Sequence, residues 1–386
     1  MGTPANGARI MTTHTGSLPR PERLRGLMID VQDGKAVDRQ VYENEIRAAV
    51  RSSVDRQLET GIDVVDDGEQ SKPGFVTYVN ERLGGFTPSA SFVNPYTASK
   101  EFARFPEFYA ERRDPNQAAA HRTAHATCTA PVTYVGQKHV ARDIDNLRRA
   151  LAGREPAGAF IPAASPASVE GWQQNEYYAD EQSYLFAIAD AMREEYRAIV
   201  DAGFIVQIDD PWLAMHYMLE PDADIRSTCE WAELRIAALN RALEGIPERM
   251  VRHHLCYGIN MGPRTSEIEM KHLLPLLFKI AAAGYSFEFA NPRHEHEWQI
   301  WEGVDLPDGK YLIPGVVTHS SVLVEHPELV AQRIRRFTGI VGNGRVVAGT
   351  DCGFASNPRE VPEVHPTVVW AKLQSLVEGA RLASSA

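Results

Sequence analysis

Short apolar runs that end in polar residues alternate with amphipathic segments along the chain. Eight runs have the length and composition of buried strands, and they cover residues 9–17, 61–70, 159–168, 204–211, 250–258, 285–293, 311–321 and 345–354. Most of the intervening segments show helical periodicity, as in 41–61, 182–203 and 268–284, and the last two are predicted to end at Gly203 and Gly284. This alternation predicts an α/β fold, a (β/α)8 TIM barrel, and we expect one domain over residues 1–386.

A ninth strand-like run, CTAPVTYVG at 128–136, does not fit the count of eight, and we expect it outside the barrel. The alternative architecture is an open, doubly wound sheet. That fold is weakened because no G-x-G-x-x-G or P-loop phosphate motif follows any of the predicted strands. The barrel is therefore the preferred prediction.

Composition limits the partners. The chain is 44% hydrophobic and 24% charged, as in ordinary globular proteins, and its net charge of -11 is spread along its length. An acidic chain disfavours nucleic acid and anionic membranes as partners. No run approaches the roughly 18 apolar residues of a membrane span, and the start resembles no secretory signal, so we expect a cytoplasmic protein. In that compartment the four cysteines are predicted to be thiols or metal ligands.

Soft and hard metal ligands stand at the ends of the last predicted strands. His254 and Cys256 lie two residues apart, so both side chains point the same way from one strand. Glu288 ends the next run and Cys352 ends the last. Strand ends converge on one mouth of a barrel, and this ligand set suits tetrahedral Zn²⁺. A lone cysteine is more often a small buried hydrophobe than a ligand. Cys128 and Cys229 have no such partner pattern, and we interpret them as core or surface thiols.

The ligand types indicate a chemistry. A thiol bound to Zn²⁺ loses its proton near neutral pH and stays nucleophilic. Zinc sites with protein thiolates suit alkyl transfer to sulfur, whereas hydrolytic zinc sites usually use histidine and carboxylate ligands.

Three motifs in this order resemble the catalytic C-terminal barrel of the cobalamin-independent methionine synthase family. They are HHLC with His254 and Cys256, FEFANPR with Glu288, and TDCG with Cys352. The resemblance runs from HTGSLPRP at 14–21 to DCGF at 351–354. It implies the barrel fold shared with uroporphyrinogen decarboxylase, zinc as the cofactor, and these residues as its ligands.

The resemblance also implies roles for residues elsewhere in the barrel. Ser17 in HTGSLPRP and Glu69 in DGEQ would contact the thiol substrate, Glu69 at its amino group. Asp209 in QIDDP would share that amino group, and His319 in THSS would handle a proton. Trp172 would lie near the methyl donor. From the residues alone, Asp209 and Asp210 could equally be helix caps, Glu69 a surface carboxylate and His319 a core histidine.

Several features depart from the family pattern. The two-barrel members carry a further barrel that we do not expect here, and Tyr257-Gly258 follows the H-x-C motif. The segment RHEHEW at 293–298 is not a family feature, and we interpret it as a solvated helix start rather than a second metal site.

Four functions therefore remain in view. The first is zinc-dependent methyl transfer from 5-methyltetrahydrofolate or another donor to homocysteine or a similar thiol. The second is zinc-thiolate opening of an epoxide, as in single-barrel epoxyalkane:coenzyme M transferases. The third is a non-catalytic barrel with a structural zinc, and the fourth a metal-free enzyme like uroporphyrinogen decarboxylase. The expected partners are a small-molecule thiol and an alkyl donor, and the sequence leaves a homo-oligomer open.

Overall fold

A computed structural model describes residues 9–75, 77–88, 95–111, 125–258, 262–355, 357–359 and 364–385. The strands in these ranges are β1 (Met11–Thr12), β2 (Val64–Val65), β3 (Leu83–Pro88), β4 (Ala126–Tyr134), β5 (Gly158–Ala164), β6 (Gln173–Asn175), β7 (Ile205–Asp209), β8 (Val251–Leu255), β9 (Gly284–Phe287), β10 (Tyr311–Val317) and β11 (Val347–Thr350).

The α-helices in the same ranges lie between and around these strands. They are α1 (Glu22–Gln32), α2 (Arg39–Thr60), α3 (Thr77–Asn80), α4 (Lys100–Arg104), α5 (Pro106–Glu111), α6 (Gln137–Ala150), α7 (Pro166–Glu170), α8 (Glu181–Asp201), α9 (Pro211–Leu219), α10 (Ile225–Leu243), α11 (Met270–Leu277), α12 (Pro327–Val341) and α13 (Pro366–Ser384). Short 3-10 helices cover Pro95–Ala98, Glu248–Met250, Glu295–Gly303 and Asn343–Arg345. Among the described helices, none combines the length and apolar character needed to cross a bilayer.

Eight parallel strands form the barrel. Their order around the sheet is β1-β11-β10-β9-β8-β7-β5-β2, and a parallel bridge between Thr13 and Val64 joins the two ends. Strands β5, β7, β8 and β9 are buried at every residue, as expected of parallel strands covered by helices. All eight predicted strand segments contribute to this sheet, so the (β/α)8 TIM barrel is confirmed.

The ninth run lies outside the barrel, as predicted. Strand β4 pairs antiparallel with β3 and parallel with β6 in a separate three-stranded sheet. This excursion also contains Cys128, whose buried thiol donates to the carbonyl of Ala130 at 3.3 Å. The interpretation of Cys128 as a buried thiol away from a metal site therefore holds.

The two predicted helix ends differ in outcome. Helix α8 stops just before Gly203, which adopts the left-handed φ of 89° that glycine favours at a helix end. Helix α11 instead stops at Leu277, so its predicted end at Gly284 is wrong, and Gly284 opens β9. Pro275 lies inside α11 and lacks an N–H. The next backbone bonds span only three residues, from Lys279 to Leu276 and from Ile280 to Leu277.

Candidate metal centre and substrate pocket

Three of the four predicted metal ligands meet at the carboxyl ends of the barrel strands. His254 lies in β8, Cys256 follows that strand, and Cys352 follows β11. One imidazole nitrogen and the two sulfurs lie within 4.8 Å of one another, and all three residues are buried. The two sulfurs are 3.1 Å apart. The barrel therefore brings together donors from strands almost 100 residues apart along the chain.

The His254 ring is oriented for a metal. Its Nδ1 is 3.1 Å from the Ser286 hydroxyl, and its Nε2 is buried without a hydrogen-bond partner among the described residues. Burial lowers the pKa of His254 well below its usual value, and the neighbouring His253 lowers it further. The ring is therefore neutral, and a neutral imidazole with one nitrogen already engaged is the form that binds metal ions.

The two sulfurs also fit a soft cation. The Gly258 N–H points at the Cys256 sulfur at 3.2 Å, and the two buried sulfurs face each other. The hydrogen bond between the two cysteines raises the pKa of Cys352 well above its usual value, and burial raises it further. Tetrahedral zinc with Zn–S bonds of about 2.3 Å spaces two sulfurs about 3.8 Å apart. A separation of 3.1 Å needs only a small adjustment to reach that spacing.

Glu288, the fourth predicted ligand, lies beside the trio but belongs to a neighbouring group. A carboxylate oxygen of Glu288 lies within 4.8 Å of ligand atoms of His319 and Asp351. It does not lie within that distance of all three members of the trio, His254, Cys256 and Cys352. Glu288 Oε2 accepts a 2.7 Å bond from Arg264 Nη2, and Oε1 accepts from the backbone N–H of Tyr257 at 3.3 Å. The carboxylate thus has partners of its own, and its role as a ligand stays a prediction.

His319 is buried at the same mouth. Both ring nitrogens lack a hydrogen-bond partner among the described residues, so the interpretation as a satisfied core histidine is wrong. Burial, and next the charge of Arg264, lower its pKa to about 4. The ring is therefore neutral near pH 7, and a proton would stay on it only if a bound ligand raised that pKa. Its catalytic role stays a prediction.

Asp209 and Glu69 form an acidic pocket next to the trio. Asp209 is the register partner of His254 across β7 and β8, and its Oδ1 accepts from Gln207 Nε2 at 2.7 Å. Burial, and next the charge of Glu69, raise the pKa of Asp209 well above its usual value. Glu69 is 5% exposed, so it is not a surface carboxylate. Lys72 lies in the same pocket, with its Nζ 4.0 Å from Glu69 Oε2.

Ser17 and Trp172 contact different groups of residues. Ser17 is buried against the turn that carries Cys352, because its Oγ accepts from the Ala355 N–H at 3.3 Å. Trp172 packs in an aromatic cluster, with its ring centroid 5.3 Å from that of Trp212. That cluster includes Met215, whose sulfur would lie 2.9 Å from a Cβ placed on Gly258. The aromatic wall therefore adjoins the loop that follows Cys256.

Two interpretations drawn from local sequence are wrong. Asp210 precedes α9, but its side chain makes no cap and accepts instead from the Ser165 hydroxyl at 2.8 Å. In the RHEHEW segment, His294 and Glu297 are buried and joined at 2.7 Å, so a solvated helix start describes only part of it. Cys229 is partly buried in α10, with its thiol 3.6 Å from the His272 carbonyl, so the interpretation of Cys229 as an ordinary thiol holds.

Three residues of the site were missed in the sequence. Asp351 accepts the backbone N–H groups of Phe289 and Ala290, each at 2.8 Å, and so ties two strand-end loops together. Its position beside Cys352 in the TDCG motif was the available signal. Lys72 follows Glu69 by three residues, which is a weak signal. Arg264 lies in a loop that carries no motif, and no pattern pointed to it.

Comparisons with known proteins point to one family. A family model described as "Cobalamin-independent synthase, Catalytic domain" matches residues 10–138 and 164–380. The methionine synthase of Sulfurisphaera tokodaii is 25% identical over 97% of this chain and 92% of its own length. That of Saccharolobus solfataricus is 27% identical over 97% of this chain and 94% of its own.

Solved structures share the fold. A B12-independent methionine synthase from Shewanella sp. W3-18-1, in complex with selenomethionine, superposes with a TM-score of 0.73 at 22% identity over 98% of both chains. A putative vitamin-B12-independent methionine synthase from Listeria monocytogenes gives a TM-score of 0.65 at 19% identity, over 97% of this chain and 98% of its own. The family match covers most of the chain, which therefore belongs to the cobalamin-independent methionine synthase family.

Proposed function

We propose that this protein is a zinc-dependent methyltransferase of a single zinc-binding domain that methylates the thiol of homocysteine or a similar amino-acid thiol. The observation that carries the proposal is the trio of His254, Cys256 and Cys352, whose ligand atoms converge within 4.8 Å. The family membership supports it, because the relatives with matching length are methionine synthases. The methyl donor is 5-methyltetrahydrofolate or another small methyl donor.

The trio would hold the zinc, with Glu288 as the predicted fourth ligand. Zinc, when bound, lowers the pKa of a coordinated thiol, so that the substrate sulfur is anionic near neutral pH. Asp209 and Glu69 would hold the ammonium group of the substrate by charge-assisted hydrogen bonds. Asp209 is the register partner of His254, which supports an ammonium site beside the trio. Ser17, packed on the turn of Cys352, would close the substrate side of the pocket.

His319 and Trp172 would act on the donor side. The neutral, unpartnered His319 ring can carry a proton to the donor atom that loses the methyl group, once ligand binding raises its pKa. Trp172 and the wall it forms with Trp212 offer a flat aromatic donor a stacking surface. Burial of the whole mouth keeps water away from the thiolate, which strengthens its interactions with the surrounding charges.

Lys72 favours a second candidate. A sulfonate thiol such as coenzyme M needs a cation in its pocket, and the ammonium of Lys72 is buried there. Epoxide opening by that thiol would use the same trio. Lys72 already donates to the Pro162 carbonyl and faces Glu69, so its charge is largely engaged, and we prefer the aminated thiol.

The test is an assay of purified protein of known zinc content. Homocysteine, coenzyme M and glutathione are each offered with 5-methyltetrahydrofolate, a sulfonium or an epoxide, and loss of free thiol is measured. We expect stoichiometric zinc and turnover of homocysteine with a methyl donor. Turnover of coenzyme M with an epoxide alone would select the second candidate. An X-ray absorption edge of zinc that no thiol changes would indicate a structural ion, and an active protein without zinc would refute the proposal.

Cys352→Ser tests the metal ligands, and Cys229→Ser is its matched control. Replacement of Cys352 removes one of two thiolates, so we expect loss of most of the zinc and at least about a 100-fold loss of activity. Cys229 lies away from the site, and its replacement is expected to preserve both. Circular dichroism and thermal unfolding check that both variants fold. Full zinc content in Cys352→Ser would contradict the ligand assignment.

A further inference from the structure

Arg264 links the candidate metal centre to a second set of buried charges. Its side chain is 4% exposed and lies between two carboxylates that are also buried. Nη2 donates to Glu288 Oε2 at 2.7 Å, and Nε donates to Glu267 Oε1 at 2.6 Å. The guanidinium thus divides its hydrogen bonds between a predicted metal ligand and a carboxylate outside the site.

The charges continue beyond Glu267. His294 Nε2 lies 3.0 Å from Glu267 Oε2, and its Nδ1 lies 2.7 Å from Glu297 Oε2. Glu297 Oε1 in turn accepts the backbone N–H of Met270 at 2.7 Å. Negative and positive groups therefore alternate from Glu288 to Glu297, and each buried charge has an oppositely charged neighbour, as burial requires. The RHEHEW segment, which the proposed reaction does not use, supplies the far half of this chain.

The loop that carries Arg264 is fixed from the other side as well. Glu101 in α4 is buried and accepts the backbone N–H groups of Thr265 at 3.1 Å and Ser266 at 2.9 Å. Arg264 itself has a φ of 57°, in the left-handed region that residues with a Cβ rarely adopt. These bonds hold the backbone in that conformation, so the guanidinium has a defined position relative to Glu288.

Glu288 is consequently a shared carboxylate. Its Oε2 accepts from both Arg264 Nη2 and Asn291 Nδ2, the second at 2.9 Å. A carboxylate oxygen that already accepts two donors is a poorer metal ligand than a free one, whereas His254 Nε2 has no competing donor among the described residues. Of the four predicted ligands, Glu288 is thus the one whose bond to the metal a neighbouring side chain can strengthen or weaken.

We propose that Arg264 is a positioning residue that weakens the hold of Glu288 on the metal and thereby favours binding of the substrate thiol. This inference rests on the proposed function. It predicts that loss of the guanidinium strengthens the bond from Glu288 to the metal. A residue that merely supported the fold of the site would have the opposite effect, because its loss would loosen the metal.

The test measures the rate at which a chelator removes zinc from the purified zinc protein. Arg264→Met is expected to slow zinc removal about tenfold, the scale of outer-shell changes at zinc sites. Glu288→Gln is expected to speed it, and the double variant should match Glu288→Gln, because Arg264 acts only through that carboxylate. Arg264→Lys keeps the charge but loses the planar fork, so we expect a rate between wild type and Arg264→Met.

Glu267→Gln provides a test of opposite sign that leaves Arg264 in place. The amide can still accept from Arg264 Nε, but it no longer competes as a charge, so Arg264 should pair more strongly with Glu288. Zinc removal should then be faster than in wild type. If Arg264→Met does not fold, this variant decides the question alone, and unchanged or slower removal from Glu267→Gln overturns the inference.

Binding of the thiol is the second measurement. In cobalt-substituted protein, homocysteine should add to the sulfur-to-cobalt absorption that Cys256 and Cys352 already give. Arg264→Met should need about tenfold more thiol to reach half of that increase. Faster zinc removal or unchanged thiol affinity in Arg264→Met overturns the role of Arg264 and leaves the proposed function intact. A wild type that holds no zinc, or methylates no thiol, refutes the proposed function itself.

Discussion

Replacement of Asp209 by asparagine isolates the charge that is expected to select an amino-acid thiol. Asp209 ends β7, is 7% exposed, and accepts a 2.7 Å hydrogen bond from Gln207 Nε2 on its Oδ1. An asparagine has nearly the same shape, and its own Oδ1 can keep the bond from Gln207. The substitution therefore removes the negative charge and leaves the packing of the strand end unchanged.

The expected loss follows from one charge-assisted hydrogen bond in a buried pocket. Such a bond contributes about 1.5 to 3 kcal/mol, which corresponds to roughly a 10- to 150-fold loss of kcat/KM for homocysteine. A thiol without an amino group, such as 3-mercaptopropionate, makes no such bond. The kcat/KM for 3-mercaptopropionate should change by less than about twofold, because this thiol has no ammonium group for Asp209 to bind.

The acid side of the pH profile gives a second signature. Burial, and next the charge of Glu69, raise the pKa of Asp209 well above its usual value, while Lys72 opposes them. As pH falls through that raised pKa, Asp209 gains a proton and loses its attraction for an ammonium group. Wild-type kcat/KM for homocysteine should therefore decline on the acid side, and Asp209→Asn should lack the part of that decline that comes from this group.

The assay compares zinc-loaded wild type, Asp209→Asn and Asp222→Asn with both thiols. Asp222 is exposed, so its substitution removes one negative charge without touching the pocket. We expect Asp222→Asn to behave as wild type, since exposed charges contribute little. Equal losses for homocysteine and 3-mercaptopropionate in Asp209→Asn would show that Asp209 holds the site together and does not recognise the amine.

Two further predictions concern the supports of the site. Gly16→Ala should lower the free energy of unfolding by about 1 to 3 kcal/mol and raise KM, because Gly16 has a φ of 143° and a Cβ would lie 2.8 Å from Glu69 Oε1. In the control Gly34→Ala, also at positive φ but with no atom within 4 Å, urea unfolding should show only the backbone cost. For His294, burial lowers its pKa, but hydrogen bonds to Glu267 and Glu297 outweigh burial and raise it to about 9. The stability that the protonated His294 adds to the fold is fully present below the pKa of an unfolded histidine, near 6.5. It is lost as pH rises through about 9. Urea unfolding from pH 6 to 10 should show this decline in wild type, and an equal decline in His294→Gln would contradict the assignment.

The barrel could be predicted because its strands are buried on both faces. Strands such as β5 and β7 must then be continuous apolar runs, and the polar residue that ends each run marks the mouth. The trio could be predicted for the same reason, since His254 and Cys256 lie two residues apart at one strand end and Cys352 lies at another. The end of helix α11 was mispredicted because the apolar pattern continues to Gly284, whereas the helix ends at Leu277. Periodicity alone does not show which apolar residues belong to the turns after Leu277.

The contacts between the predicted ligands and loop residues could not be predicted from the sequence. The pairing of Asp209 with His254 differs, because it follows from the order and register of adjacent barrel strands. Glu288 meets Arg264 because the loop after β8, in which Arg264 adopts a left-handed φ of 57°, brings the guanidinium to the carboxylate. No strand pattern encodes that contact. Residue types at strand ends thus determine which metal and which chemistry the barrel can support. We infer that loop residues set how firmly a ligand is held, here through the hydrogen bond from Arg264 to Glu288.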